Sequence, residues 1–182
     1  MRIVAGEFRG RTLATPTWEG LRPTSDRLRE TLFNILGASI AGARVLDGYA
    51  GTGAIGIEAL SRGALHATFV DNDPRAVKLI ERNLTMLGPG RAGDRAIIRA
   101  GFADAAARLA GSPFDLIIVD PPYAHDAAEA ALTSAALLAG PATRVVVEHA
   151  KRYAAPEGAG PLRLRRTVTA GDSAVSFYEH SS

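Results

Sequence analysis

Apolar and polar residues follow two alternating patterns between residues 43 and 149. Short apolar runs, typical of buried strands, alternate with segments whose apolar residues recur at helical spacing. The pattern predicts strands at 43–51, 66–73, 95–101, 114–120 and 143–149, and helices at 53–64, 74–88, 103–111 and 127–140. Strands that alternate with helices indicate a parallel sheet covered on both faces.

The two ends of the chain depart from this alternation. Near the end, segments 162–170 and 173–180 flank a Gly-Asp turn and predict an antiparallel hairpin, which brings the sheet to seven strands. At the start, 2–4 and 11–14 predict a short β-hairpin. The next segment, 21–37, predicts a helix capped by Thr24 or Ser25 and ended by Gly37. We therefore divide the chain into an N-terminal β-hairpin extension, 1–21, and a main domain, 22–182.

Composition narrows the class of protein. The 182 residues are 47% hydrophobic and 22% charged, which fits one globular core. The net charge of +2 permits nucleic acid as a partner without requiring it. No cysteine is present, so disulfides and thiolate metal sites are excluded, and we expect no metal. No apolar run reaches the roughly 20 residues of a membrane span, so we expect no membrane partner. Because cysteine and a long apolar signal-peptide core are also absent, we expect a cytoplasmic protein, and we expect it to be a monomer.

A glycine-rich turn follows the first parallel strand. Gly51, Gly53 and Gly56 match a pattern that binds dinucleotides but is weak by itself. Asp47, at the end of the strand, would repel a pyrophosphate and suits a cationic group. We therefore predict that the turn binds S-adenosylmethionine, with Asp47 facing the α-ammonium and the carboxylate near backbone N–H groups of the following helix.

Asp71 ends the second strand, where an acid accepts hydrogen bonds from ribose hydroxyls. The residues after the third strand shape the adenine pocket, and either Phe102 packs on the ring or Asp104 accepts from its amino group. The full predicted cofactor-binding set is Asp47, Tyr49, Gly51, Thr52, Gly53, Asp71, Asn72, Phe102 and Asp104.

The most apolar run of the chain, 114–119, ends on Asp120-Pro121-Pro122-Tyr123. Asp120 therefore points into the crevice beyond the strand ends, where open α/β sheets bind ligands. Proline lacks an N–H, so the carboxylate and the Pro121 carbonyl form a pair of acceptors that suits an amino group. Tyr123 offers a flat face on which a base can stack. Asp120, Pro121 and Tyr123 are the predicted catalytic residues.

Three motifs, DGYAGTGAIGIEALSRGA, FVDNDPRA and DLIIVDPPY, resemble Rossmann-like class I methyltransferases that act on amino groups. The N-terminal residues MRIVAGEFRGR and LRPTSDRLRETLFNIL narrow the resemblance to the RsmD family, bacterial enzymes that modify guanine N2 in 16S ribosomal RNA. It covers residues 1 to about 150. Three features depart from the family pattern. Gly48 replaces a common bulky apolar residue, GFAD at 101–104 replaces a simpler Gly-Asp, and the tail RRTVTAGDSAVSFYEH follows the family's ending only roughly.

The resemblance implies transfer of a methyl group from S-adenosylmethionine to guanine N2, in 16S ribosomal RNA or in the assembled small subunit. Asp120 and the Pro121 carbonyl would hold the amine, and Tyr123 would stack on the flipped base. Arginines of the N-terminal region would contact phosphates as an RNA arm: Arg2, Arg9, Arg11 and Arg22. Alternatives are an amino methyltransferase for adenine N6 or protein glutamine, or a non-catalytic RNA-binding module.

Overall fold

A single eight-stranded sheet forms the centre of the molecule in a computed structural model that describes residues 1–18, 26–88 and 94–181. The strand order is β3-β2-β1-β4-β5-β8-β7-β6. The strands are β1 Arg44–Gly48, β2 His66–Asp71, β3 Asp94–Arg99, β4 Leu116–Val119, β5 Arg144–Ala150, β6 Gly158–Ala159, β7 Leu162–Ala170 and β8 Ser173–His180. Strands β1 to β5 pair in parallel, and β6 to β8 add an antiparallel edge.

One helix precedes β1, and the helices that follow it cross over between the parallel strands. The helices are α1 Asp26–Leu36, α2 Ala54–Ser61, α3 Pro74–Thr85, α4 Phe102–Leu109 and α5 Ala127–Ala136, with a 3-10 turn at Gly37–Ile40. The start of α3 follows from its sequence, because the Asp73 side chain accepts a hydrogen bond from the Arg75 N–H at 2.8 Å and Pro74 occupies the first helical position.

Two hydrophobic clusters pack against opposite faces of the sheet. The first joins α1, α2 and α3 to strand residues such as Val45, Phe69 and Ile118. The second joins α4 and α5 to the alternate strand residues, including Leu46, Ile117 and Val119. Because successive strand residues point to opposite faces, the face of any strand-end side chain can be read from its neighbours.

The N-terminal hairpin belongs to the first cluster. Arg2 and Thr12 form an antiparallel bridge, and Ile3, Phe8 and Leu13 are each 2% exposed within the common core. Buried Glu58 of α2 accepts hydrogen bonds from the backbone N–H groups of residues 4 and 5 at 2.8 and 3.0 Å. The hairpin is thus fixed to α2 by backbone bonds as well as by apolar contacts.

The predicted fold class is confirmed: a mostly parallel α/β sheet with a C-terminal antiparallel hairpin. One strand was missed, because β6 has only two residues and no apolar alternation to reveal it. Helix α4 begins at Phe102, one residue before the predicted start. The predicted caps Thr24 and Ser25 lie outside the described residues.

Candidate active site

Four carboxylates lie at the carboxyl ends of neighbouring strands. They belong to β2, β1, β4 and β5, which are adjacent in that order, and the residues are Asp71, Asp47, Asp120 and Glu148. Two positions before each carboxylate stands a residue of the first hydrophobic cluster, which packs beneath α1 to α3. Side chains in a strand alternate between faces, so all four carboxylates lie on that same face. The carboxyl ends of the strands are where open α/β sheets bind ligands.

The turn from β1 to α2 contains three left-handed residues. Tyr49, Gly51 and Gly53 have φ angles of 60, 56 and 75°. Glycine accepts this conformation freely, whereas a tyrosine there is strained by about 1 kcal/mol or more, and such strain concentrates at functional sites. The Gly51 N–H donates to Asp71 Oδ2 at 2.8 Å, which joins the turn to the end of β2.

Gly56 allows α2 to lie directly on the sheet. A Cβ atom at this position would overlap the ring of Phe69 in β2. The close approach brings the Gly56 N–H to Asp47 Oδ2 at 2.8 Å. The third glycine of the motif therefore serves helix packing, and the packing positions Asp47 at the start of α2.

Asp47 is 3% exposed, and burial raises the pKa of its carboxyl to about 8. The Gly56 N–H opposes this rise in pKa, and the negative charge of Asp71 adds to it. A buried carboxyl with a raised pKa is stabilised in its ionised form by a nearby cation. The site therefore fits a ligand that brings a positive group, such as the α-ammonium of S-adenosylmethionine.

Asp71 is half-buried, and both of its oxygens accept backbone hydrogen bonds. Oδ2 binds Gly51, and Oδ1 accepts from the Asp73 N–H at 2.9 Å. A carboxylate has about four acceptor positions, so these bonds orient Asp71 and leave capacity for ribose hydroxyls. The neighbouring Asn72 is exposed. The roles of both residues toward a cofactor remain predictions.

Gly48 and Phe102 are neighbours in the structure. A Cβ atom at Gly48 would lie 2.7 Å from the ring of Phe102, which is 4% exposed. The same ring lies 5.4 Å, centroid to centroid, from Tyr49. The ring of Phe102 therefore occupies the space that a side chain at position 48 would need. Asp104 is exposed in the first turn of α4.

The Thr52 carbonyl accepts a hydrogen bond from a residue that the sequence pattern did not single out. Asn83 of α3 is fully buried and donates to the Thr52 carbonyl at 2.9 Å. Its Oδ1 accepts from the Ala14 N–H at 2.8 Å, and its amide also donates to the Ala14 carbonyl at 3.2 Å. Asn83 thus connects the glycine turn to the N-terminal segment, and no local sequence signal indicates this.

The turn after β4 presents the predicted catalytic residues at the crevice. The Asp120 N–H donates to the Gly48 carbonyl at 3.3 Å, which ties the turn to β1. Pro121 is buried, and the Pro122 carbonyl accepts from the Ala124 N–H at 2.7 Å. The half-buried Tyr123 donates its hydroxyl hydrogen to Glu148 Oε1 at 2.7 Å.

The N-terminal arginines lie at the other edge of the sheet. Helix α2 starts at the carboxyl end of β1 and runs back, so Ser61 at its end marks the amino edge. The hairpin loop contacts that end, because the Phe8 N–H donates to Ser61 Oγ at 3.0 Å. Arg2, Arg9 and Arg11 are all exposed, and Arg11 also donates to the Leu87 carbonyl at 2.8 Å, just after α3.

Arg22 lies outside the described residues. Within the described ranges, no three acidic or histidine side chains are arranged to hold a metal ion. No helix in that part of the chain has the length and apolar character needed to cross a bilayer.

The whole chain is similar to known proteins. A family model described as Conserved hypothetical protein 95 matches residues 1–179. YlbH of Bacillus subtilis is 35% identical over 181 residues, which cover 98% of each chain. Ribosomal RNA small subunit methyltransferase D of Escherichia coli is 42% identical over 123 residues, which span 68% of this chain and only 60% of that protein.

Solved structures agree. The structure of yhhF from Escherichia coli superposes with a TM-score of 0.85 at 34% identity, covering 99% of this chain and 97% of that one. The rRNA methyltransferase aviRa from Streptomyces viridochromogenes gives a TM-score of 0.71 at 18% identity, covering 89% of this chain and 87% of that one. The latter supports the fold alone. The architecture is that of Rossmann-like methyltransferases.

Proposed function

The chain belongs to the family described as Conserved hypothetical protein 95, and we propose that it is an S-adenosylmethionine-dependent ribosomal RNA methyltransferase. The proposed acceptor is the N2 amine of a guanine in 16S ribosomal RNA, in the free RNA or in the assembled small subunit. The observation that carries the proposal is the Asp-Pro-Pro-Tyr turn at the crevice, beside the turn that holds Asp47 and Asp71.

The cofactor fits the residues present. Asp47 is a buried acid that a cationic ligand would ionise, and Asp71 is oriented for hydroxyl groups by two backbone bonds. When bound, S-adenosylmethionine supplies an electrophilic methyl group on a sulfonium. Predicted ligands of its methionine and ribose parts are Asp47, Tyr49, Gly51, Thr52, Gly53, Asp71 and Asn72. The predicted adenine contact is either the ring of Phe102 or the carboxylate of Asp104.

Asp120 and the Pro121 carbonyl orient the acceptor amine. The lone pair of guanine N2 is delocalised into the ring, so two hydrogen bonds from its hydrogens to these oxygens would localise it and direct it toward the methyl carbon. The bound cofactor would supply the methyl group, and the new N2–carbon bond would replace its sulfur–carbon bond, so the positive charge would pass from the sulfonium to N2. The extra proton on N2 then passes to Asp120 or to water. Much of the rate gain is proximity and orientation.

Tyr123 keeps the extruded base in place. Its ring lies in the turn next to Asp120, and its hydroxyl is fixed by Glu148 and by Ser173, whose Oγ is 2.6 Å away. A base stacked on an aromatic side chain gains about 1–3 kcal/mol, which offsets part of the cost of leaving its own stack. The fixed hydroxyl restricts the ring to one orientation.

The test is methylation of 16S ribosomal RNA, free or in small subunits, by the purified protein, with the product mapped by mass spectrometry. Asp120→Ala should lower the rate at least about 100-fold, because orientation is lost, while cofactor affinity stays within a few-fold. The matched control is Asp126→Ala, an exposed acid in the same loop whose side chain does not cap α5. Methylated adenine, methylated protein, or full activity of Asp120→Ala would contradict the proposal.

A further inference from the structure

Glu148 is the strand-end acid that the proposed reaction leaves without a role. Val119 and Val147 are paired residues of the parallel strands β4 and β5, and Asp120 and Glu148 directly follow them in the sequence. Both lie on the face covered by α1 to α3, as Ile118 does. Neighbouring strands are about 4.8 Å apart, so these two carboxylates leave the sheet side by side.

The Glu148 side chain is buried and fixed, unlike a solvated surface acid. It is 7% exposed at the edge of the crevice. Tyr123 donates to its Oε1 at 2.7 Å, and burial raises the pKa of that tyrosine far above its ordinary value, so the hydroxyl remains a donor. The stacking residue and Glu148 therefore hold each other in position.

The arrangement matches one edge of one base. Guanine presents two donors on its Watson–Crick edge, N1–H and the N2 amine, whereas adenine presents an acceptor at N1. A carboxylate can only accept hydrogen bonds, so it attracts the first arrangement and repels the second. Sites that hydrogen-bond a substrate donor reject analogues that lack it, because the buried acceptor is left unpaired.

Resting on the proposed function, we propose that Glu148 selects guanine by accepting a hydrogen bond from N1–H while Asp120 accepts from N2. Glu148 is then a specificity residue in contact with the base. Tyr123 both stacks on that base and aims the carboxylate that recognises it. Guanine would be read by two acids from adjacent strands, one for the reacting amine and one for its neighbour.

The experiment compares RNAs that carry guanine or 2-aminopurine at the mapped target position. 2-Aminopurine keeps the N2 amine but has an acceptor at N1. The wild-type enzyme should prefer guanine by about 10- to 100-fold in kcat/KM, the range expected for a hydrogen bond to a charged group. Glu148→Gln carries an amide that can donate to N1, so this preference should fall to within about threefold.

The control variants distinguish a failure of the proposed Glu148 role from a failure of the proposed guanine methylation. Glu81→Gln, an exposed acid on α3, should keep the wild-type preference. Glu148→Asp retains the charge but moves it one methylene away from the base, so it should also lose the preference for guanine over 2-aminopurine. This second variant tests the inference if Glu148→Gln does not fold. Unchanged preference in both Glu148 variants overturns the inference while guanine methylation stands. No guanine methylation by the wild-type enzyme overturns the proposed function.

Discussion

Asp47 provides a titration that reports directly on the cofactor site. Its pKa near 8 means that at pH 7 about nine-tenths of the cofactor-free protein carries a neutral Asp47. An ammonium group beside it would favour the carboxylate, so cofactor binding near pH 7 should release close to one proton. Affinity should then rise with pH between 6 and 8, by up to about tenfold per unit.

Asp47→Asn isolates this effect. The amide oxygen can keep the hydrogen bond from the Gly56 N–H, so the turn retains its shape, but the site no longer titrates. At pH 8 the variant should bind S-adenosylmethionine about 10- to 100-fold more weakly, for a charge-assisted bond of about 1.5–3 kcal/mol. At pH 6 the difference should shrink, because the wild-type residue is also neutral there.

Calorimetry in buffers of different ionisation enthalpy measures both the affinity and the protons released. The amine of the unbound cofactor titrates in the same range, at a pKa of about 7.7–8.0, but this titration is the same in experiments with either protein. The difference between wild type and variant at each pH is therefore the decisive quantity. Equal affinities at pH 6, 7 and 8 would show that Asp47 does not face the ammonium.

The same pKa predicts a stability effect without cofactor. A pKa raised above its unfolded value of 3.8 gives a contribution that is fully present below about pH 4 and is lost as pH rises through about 8. The cofactor-free wild type should therefore lose melting temperature between pH 6 and 9 relative to Asp47→Asn. A parallel course for the two proteins would mean that the carboxyl titrates normally.

Two further predictions concern the N-terminal region. Asn83→Ala should lower the free energy of unfolding by about 2–4 kcal/mol and weaken cofactor binding, because the backbone groups of Ala14 and Thr52 lose buried partners. Calorimetry measures both quantities, with the exposed Asn34→Ala as the control. An unchanged cofactor affinity would mean that Asn83 contributes to stability alone. Arg9→Ala should weaken RNA binding and reduce its log–log salt slope by up to about one unit without changing the melting temperature, whereas Arg11→Ala should also lower the melting temperature because its guanidinium contacts the end of α3.

The sequence predicted those features that arise within a few residues. Asp73 and Pro74 specify the start of α3 by local hydrogen bonding and a fixed φ angle, and the structure has that start. Asp47, Asp71 and Asp120 were placed at strand ends because apolar runs stop at them. Parallel topology then brings such ends to one edge, so a shared crevice could be inferred without knowing any contact.

Features that join distant segments were not predictable in the same way. The hydroxyl of Tyr123 binds Glu148 and Ser173, which are 25 and 50 residues away in the sequence. Gly48 and Phe102 are far apart in the sequence, and only the structure shows that the ring of Phe102 occupies the space beside Gly48. Helical spacing places Asn83 on the buried stripe of α3 beside Leu79 and Ile80, but it does not reveal which distant segments the amide binds. Each depends on side-chain packing that a hydrophobic pattern does not specify.

The position of the hairpin sharpens the prediction for Arg9. Its loop lies at the amino ends of the parallel strands, and Asp120 lies at their carboxyl ends. The five-residue strand β1 separates the two ends. That strand spans roughly 17 Å, which is more than one nucleotide can bridge. A single substrate that touches both must be an extended or folded RNA. Loss of Arg9 should therefore weaken binding of whole 16S ribosomal RNA and leave binding of a short oligonucleotide around the target guanine unchanged. An equal loss for both RNAs would place the Arg9 contact beside the target base, which the position of the loop does not allow.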